Sequence, residues 1–246
     1  MDDVLLVNLR WIKPFLEEYK KRINLPFGCY IHPCGGIEEM LGLAKDAGLV
    51  YVNVGIQSGS AYVLREIYNR HYSDEEMRRM CWRAHELGLM LLYDVIWLNP
   101  FENEQHMQET VEFLLTLPKP SVAHSFPLVF FPGLKIGNLN APRYELPYDL
   151  QMFYALLYQY YRIPDVTPQM VRELMHNSHY KEHPEEMARW MNLLMQEHMH
   201  EQDNRIHGLQ HELDELTLEL NRLRENGSVR RKIAHAMRRL FTPSTS

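Results

Sequence analysis

Cysteine is scarce in this chain, and long apolar runs are missing. Cys29, Cys34 and Cys81 are the only three in 246 residues, an odd number that excludes a simple disulfide framework. Four residues separate Cys29 from Cys34 and no second ligand pair follows nearby, so a zinc site is not supported and small reduced thiols are expected. No apolar stretch approaches the ~18 to 20 residues that cross a bilayer. The start Met1-Asp2-Asp3 is the opposite of a basic signal-peptide opening. A cytoplasmic location is the expectation.

Acidic residues are absent from positions 228 to 246, which hold five Lys/Arg. The rest of the chain therefore carries 21 basic against 32 acidic residues, a net −11. An acidic body argues against a specific nucleic-acid groove, while the basic tail suits an anionic partner surface. The tail places Val229, Ile233, Met237, Leu240 and Phe241 among its basic residues, and two readings stay open: surface docking, or a frayed solubilising end.

With 46% apolar residues, the chain can bury a sizeable core. Strand-like runs at 27–31, 49–55, 89–97 and 121–130 alternate with helical patterns at 9–22, 36–47, 60–69, 74–87 and 103–117. That alternation predicts an α/β fold with a parallel sheet and helices outside it. Ser73 and Glu76 form a capping-box signature, and Gly48 and Gly88 each close a helix just before a strand.

Past Pro132-Gly133 the character changes. A loop rich in Asn, Pro and Gly leads to an aromatic helix over about 148–162, with Phe153, Tyr154, Leu157, Tyr158 and Tyr161 at core spacing. A short helix follows over about 168–176. A long helix is predicted to begin at Pro184, and Ile206, Leu209, Leu213, Leu216, Leu220 and Leu223 then recur as a heptad seam. Either a coiled coil or one helix packed on the body would satisfy that pattern. The expected layout is 1–140 as a β/α body, 141–182 as a helical extension, 183–226 as the long helix, and 227–246 as the basic tail.

Chemistry concentrates at predicted strand ends. Gly55-Ile56-Gln57-Ser58-Gly59-Ser60 puts an amide, two hydroxyls and two small residues at the carboxyl end of a strand, the face where parallel β/α folds bind ligands. Asp94 interrupts the apolar run Leu91, Leu92, Val95, Ile96, and a carboxylate there needs partners. A ribose diol and a salt bridge to Arg or Lys both meet that need. His207 and His211 share a helical face, and His176/His179 and His198/His200 are close in sequence. None of these pairs has a third ligand beside it, and solvated histidines are expected.

Seven elements occur in order: Asp2-Asp3; Trp11, Phe15 and Tyr19; Pro26-Phe27-Gly28-Cys29; Gly55 to Ser60; Arg70; Tyr93-Asp94-Val95-Ile96 to Asn99-Pro100; and Pro132-Gly133. Together they resemble the cobalamin-associated branch of the radical S-adenosylmethionine superfamily, from Asp2 to about Gly133. The resemblance implies a partial TIM-like (β/α) barrel that binds S-adenosylmethionine. By it, Gln57 and Asp94 would bond the ribose hydroxyls and Arg70 would hold the methionine carboxylate. Ser58 and Ser60 would line the same strand end.

Two departures stand out. Leu134 replaces the threonine usual after Pro-Gly in that family, and the three-cysteine segment C-x-x-x-C-x-x-C is not in this sequence. By the resemblance that segment would hold a [4Fe-4S] cluster, so ligands for the cluster and for cobalamin are missing here, and a partial reading frame is the expectation. A full-length relative would cleave S-adenosylmethionine to a 5′-deoxyadenosyl radical, in some cases with cobalamin as methyl carrier. The alternative is a non-catalytic scaffold on a degenerate barrel that forms homodimers through residues 206–223.

Overall fold

The computed structural model describes residues 4–194 together with Gln196, Glu215, Thr217 and Leu218. Four strands, Phe27–Ile31 (β1), Leu49–Gln57 (β2), Met90–Trp97 (β3) and Ser121–Pro127 (β4), form one sheet in the order β1-β2-β3-β4. Every pairing is parallel. Ahead of β1, Val4 makes an isolated parallel bridge to Tyr30, and Leu5 N–H donates to the Tyr30 carbonyl at 3.2 Å.

Parallel neighbours need a long crossover, and each connection here supplies a helix: Leu9–Arg22 (α1), Ile37–Asp46 (α2), Asp74–Glu86 (α3) and Glu104–Leu114 (α4). Sheet order follows chain order without reversal, as in the wall of a β/α barrel and unlike a doubly wound sheet. Among the described residues the sheet has four strands and is open. The strands and long helices follow the sequence pattern, with two shortenings: the 60–69 pattern forms a π-helix only over Val63–Ile67, and β4 ends at Pro127.

Alternation divides the sheet into two faces. Leu91, Tyr93, Val95 and Trp97 are buried beneath the helices, whereas Leu92, Asp94 and Ile96 are half-buried on the opposite face. On the helix side, Tyr93 donates its hydroxyl to the Pro118 carbonyl at 3.2 Å. Met77, Met80, Cys81 and Ala84 make the buried stripe of α3. Its capping box forms as the sequence predicts: Ser73 Oγ accepts from Glu76 N–H at 3.2 Å, and Glu76 Oε2 accepts from Ser73 N–H at 2.8 Å.

The aromatic helix is Tyr148–Tyr161 (α5), with Phe153, Tyr154, Leu157, Tyr158 and Tyr161 all buried. Two short helices follow, Pro168–Met175 (α6) and Ser178–Glu182 (α7). Residues 184–194 are again helical, with Met187 and Met191 buried.

The chain divides into two compact units, Met1–Met191 and Asn192–Ser246. The predicted 1–140 body and 141–182 extension thus fall within one unit. The heptad seam from Ile206 to Leu223, the pair Asp2-Asp3 and the basic tail lie outside the described residues. No helix among the described residues is long and apolar enough to cross a membrane.

Candidate functional site

The predicted site residues come from three connections that meet at the carboxyl ends of β2, β3 and β4. Gly55 pairs with Asp94, and Asp94 pairs with His124, so these three positions form one level across that face of the sheet. His124 Nδ1 and Asp94 Oδ1 share a hydrogen bond at 3.0 Å. Sequence reading offered a ribose or a salt bridge to Arg or Lys as partners for Asp94; the protein partner is a histidine 30 residues away. Burial raises the Asp94 carboxyl, and the His124 contact opposes that rise.

On the other side of Asp94, the missing side chain of Gly55 leaves a notch. A Cβ at Gly55 would lie 2.6 Å from Gln57 Nε2 and 3.6 Å from Arg70 Nη1, so the amide and guanidinium occupy the space that any larger residue would take. Arg70 Nη1 donates to the Gly55 carbonyl at 3.4 Å. Tyr72 sends its hydroxyl to the Ile56 carbonyl at 3.4 Å, and its ring meets His32 edge-on at 5.2 Å. His32 is held below the usual imidazole range by burial and by the Arg70 charge. One level further down, Asn53 is buried on the same face with Oδ1 unpartnered.

The backbone is strained here. Gln57, Asn69 and Leu98 have φ of 66°, 51° and 53°, the left-handed region that non-glycine residues occupy at a cost of about 1–2 kcal/mol. Gln57 ends β2, Leu98 follows β3 and Asn69 directly precedes Arg70, and β2 shifts register between Gly55 and Gln57. Such outliers persist where surrounding structure over-determines them, often next to ligand sites.

Ser58 and Ser60, also expected to line the strand end, are buried. Ser58 Oγ donates to Glu102 Oε1 at 2.8 Å and lies 3.0 Å from Thr110 Oγ1. Thr110 Oγ1 also accepts from Gly59 N–H at 2.9 Å, while Ser60 N–H donates to Ser58 Oγ at 3.2 Å. Ser60 Oγ is buried without a partner. The Gln57-Ser58-Gly59-Ser60 turn is thereby tied to α4 by a polar network under the face that carries Asp94.

Sequence reading missed Glu102 and His124. Glu102 is 3% exposed, and burial raises its carboxyl to about 7 against the hydrogen bonds from Ser58 and Asn99. A carboxylate after Asn99-Pro100 looks like an ordinary loop residue; only the fold brings it under Ser58. The loops above are held by an apolar cluster of Val63, Ile67 and Phe101, joined by Leu128, Ile136 and Leu139. Arg143 lies over the Phe101 ring at 5.0 Å.

The three thiols are dispersed. Cys29 lies on β1 and Cys81 on α3, both buried and pushed up to about 12 by desolvation. Cys34 donates to the Leu6 carbonyl at 3.3 Å.

The arrangement suits a polar ligand with an anionic end and a hydroxylated middle. Arg70 offers a fork of donors, Gln57 a donor and an acceptor, and Asp94 an acceptor for hydroxyl groups. Residues 8–114 match the Radical SAM superfamily. Radical S-adenosylmethionine methyltransferase TsrM from Kitasatospora setae, solved with cobalamin and a [4Fe-4S] cluster, is 22% identical over 51% of this chain and 26% of that one, with a TM-score of 0.45. Coproporphyrinogen III oxidase (HemN) from Escherichia coli, a radical SAM enzyme, is 18% identical over 53% of this chain and 30% of that one, also at 0.45. The matched region spans less than a third of either structure. No curated protein matches the sequence.

Proposed function

With the Radical SAM superfamily match over residues 8–114 as premise, we propose that this chain carries the S-adenosylmethionine-binding portion of a radical S-adenosylmethionine enzyme, on strands that form part of a TIM-like barrel wall. The observation that carries the reading is the notch above Gly55, where Gln57 and Arg70 stand beside Asp94 on one face of the sheet. Arg70 would hold the methionine carboxylate through a charge-assisted contact, and Asp94 and Gln57 would take the ribose hydroxyls. Ser58 acts beneath the site, holding the turn through Glu102 and Thr110.

The described residues do not fit an iron–sulfur cluster. Cluster ligation needs thiolates from cysteines that converge, whereas Cys29 and Cys81 are buried on separate elements with thiols held protonated. No reaction step is therefore assigned to a cluster on this chain. Cobalamin enters the reading only through the motif resemblance, and no residue here is assigned to it.

Calorimetry with the full chain tests the proposal. S-adenosylmethionine or S-adenosylhomocysteine should bind, and Arg70→Ala and Asp94→Ala should each weaken binding by about 1.5–3 kcal/mol, the range for hydrogen bonds to charged groups. Undiminished affinity in both variants would remove these residues from the site. Anaerobic reconstitution should leave the chain without cluster-level iron, and full occupancy with the matching visible absorbance would overturn the assignment of its cysteines.

A further inference from the structure

We infer that His124 is a positioning residue of the same site: it fixes the carboxylate of Asp94 so that one oxygen is committed to the imidazole and the other is presented to a ligand diol. The inference rests on the proposed nucleoside reading and deepens it by assigning a residue that neither the sequence motifs nor the comparisons mark.

Asp94 and His124 are directly paired across β3 and β4, so their side chains leave the same face at the same level. Parallel neighbours lie ~4.8 Å apart, which brings a short carboxylate within reach of the near ring nitrogen without bending either strand. The contact is 3.0 Å, Nδ1 to Oδ1. It is also well shielded on one side: the Asp94 side chain is 14% exposed, whereas that of His124 is 40% exposed.

Asp94 has no other hydrogen-bond partner among the described residues, so Oδ2 is free. A carboxylate with no fixed partner can rotate about its terminal torsion, which is broad. Anchoring Oδ1 removes that freedom before a ligand arrives, and preorganisation of this kind raises affinity by cutting the ordering cost of binding. On the opposite flank, Gly55 contributes no side chain, and the space is taken by Gln57 and Arg70. The resulting strip runs from guanidinium and amide through carboxylate to imidazole across three strands. An ionised carboxylate accepting from Nδ1–H also sets the neutral ring as the Nδ1–H tautomer, leaving Nε2 as an acceptor.

The test uses the full chain, two substitutions at position 124 and two ligands. An asparagine side chain can place an N–H near the Nδ1 position, whereas leucine cannot. His124→Asn should bind S-adenosylhomocysteine within about threefold of the wild type, and His124→Leu should bind it roughly five- to thirtyfold more weakly, the span that corresponds to a single hydrogen bond. With the 2′,3′-dideoxy analogue, which lacks the diol, leucine should cost no further affinity. In the ligand-free protein, nitrogen-15 NMR should report the Nδ1–H tautomer for His124 and its loss in Asp94→Ala.

Equal weakening by leucine toward both ligands, or failure of asparagine to restore binding, would make His124 a merely structural neighbour and overturn the inference while Asp94 dependence kept the nucleoside reading. An absent Nδ1–H signature would overturn it before any ligand is added. If the wild type binds neither ligand while the NMR signature is present, the nucleoside reading fails, and the diol-presenting role fails with it.

Discussion

Ser58 donates its hydroxyl to Glu102 at 2.8 Å, across 44 positions of sequence, and the acceptor is a carboxyl only 3% exposed. A carboxylate in such surroundings is not paired with a cation; its partners are the hydroxyl of Ser58 and the side chain of Asn99, and Glu109 adds repulsion. Three neutral or like-charged neighbours cannot repay the desolvation of a full charge. Glu102 therefore holds a proton far more readily than a surface glutamate. The turn that bears Gln57 rests on it, so its protonation state bears on how firmly that turn is held.

A pH dependence of stability follows. With the folded carboxyl near 7 and the unfolded reference near 4.5, the native state binds the extra proton between those values, so stability falls as pH rises from about 5 to 7 and is level above that. The full change is on the order of 3 kcal/mol. Glu102→Gln keeps a carbonyl to accept from Ser58 and carries no charge. It should melt higher than the wild type at pH 8, with the gap closing by pH 5. Parallel melting curves across that range would show that Glu102 ionises without penalty.

The left-handed backbone at Gln57 allows fold and binding to be separated. Gln57→Gly removes the side-chain clash that makes φ of 66° unfavourable, a gain of about 1–2 kcal/mol that is partly offset by the greater freedom of glycine in the unfolded chain. Thermal stability should hold or rise slightly. Affinity for S-adenosylhomocysteine should fall, because the amide beside Arg70 is gone. A variant that both unfolds earlier and binds normally would reverse the assignment, making Gln57 a structural residue.

Much of the scaffold was legible because strand alternation and helix capping are local. Phe27–Ile31 is a strand over the run that the pattern predicts, and Ser73 caps α3 with Glu76 as expected. The Gly55-to-Ser60 segment could be placed at a strand end for the same reason. What local pattern does not carry is register between strands. That Asp94 faces His124, and not an arginine, depends on how β3 slides against β4. That Ser58 turns inward depends on where α4 delivers Thr110 and on the loop that buries Glu102. Both facts arise from contacts between residues far apart in the chain, and neither leaves a periodic trace.

Self-association through the seam Ile206, Leu209, Leu213, Leu216, Leu220 and Leu223 is a proposal from the sequence alone. A heptad stripe of leucine has to be covered, and a second copy of the helix covers it most simply. Leu213→Lys together with Leu220→Lys should turn a dimer into a monomer in sedimentation, with circular dichroism changed only slightly. An unchanged mass would mean that the stripe is covered within one chain or that association uses another surface.

Lys119 should matter more to stability than its place before Pro120 suggests. Its ammonium lies 2.6 Å from the Val166 carbonyl, 2.8 Å from that of Pro164 and 3.1 Å from that of Ile163, and it also sits 4.8 Å from the centre of the Tyr161 ring. These carbonyls belong to the turn between α5 and α6, so one side chain at the entrance to β4 fixes the path of the chain beyond the sheet. Burial holds the lysine below its usual range, with Asp165 opposing that effect. Lys119→Met retains the stem and removes the donors, leaving several carbonyls to find water. The expected loss is about 2–3 kcal/mol, since hydrogen bonds to a charged group are each worth roughly 1.5–3 kcal/mol and are not additive here. Lys119→Arg should not restore it, because a planar fork cannot converge on carbonyls arranged around a point charge. Urea denaturation would read the loss as a lower midpoint at unchanged slope. A midpoint equal to that of the wild type in Lys119→Met would show that the turn is held by the packing of Tyr161 and Val166 alone.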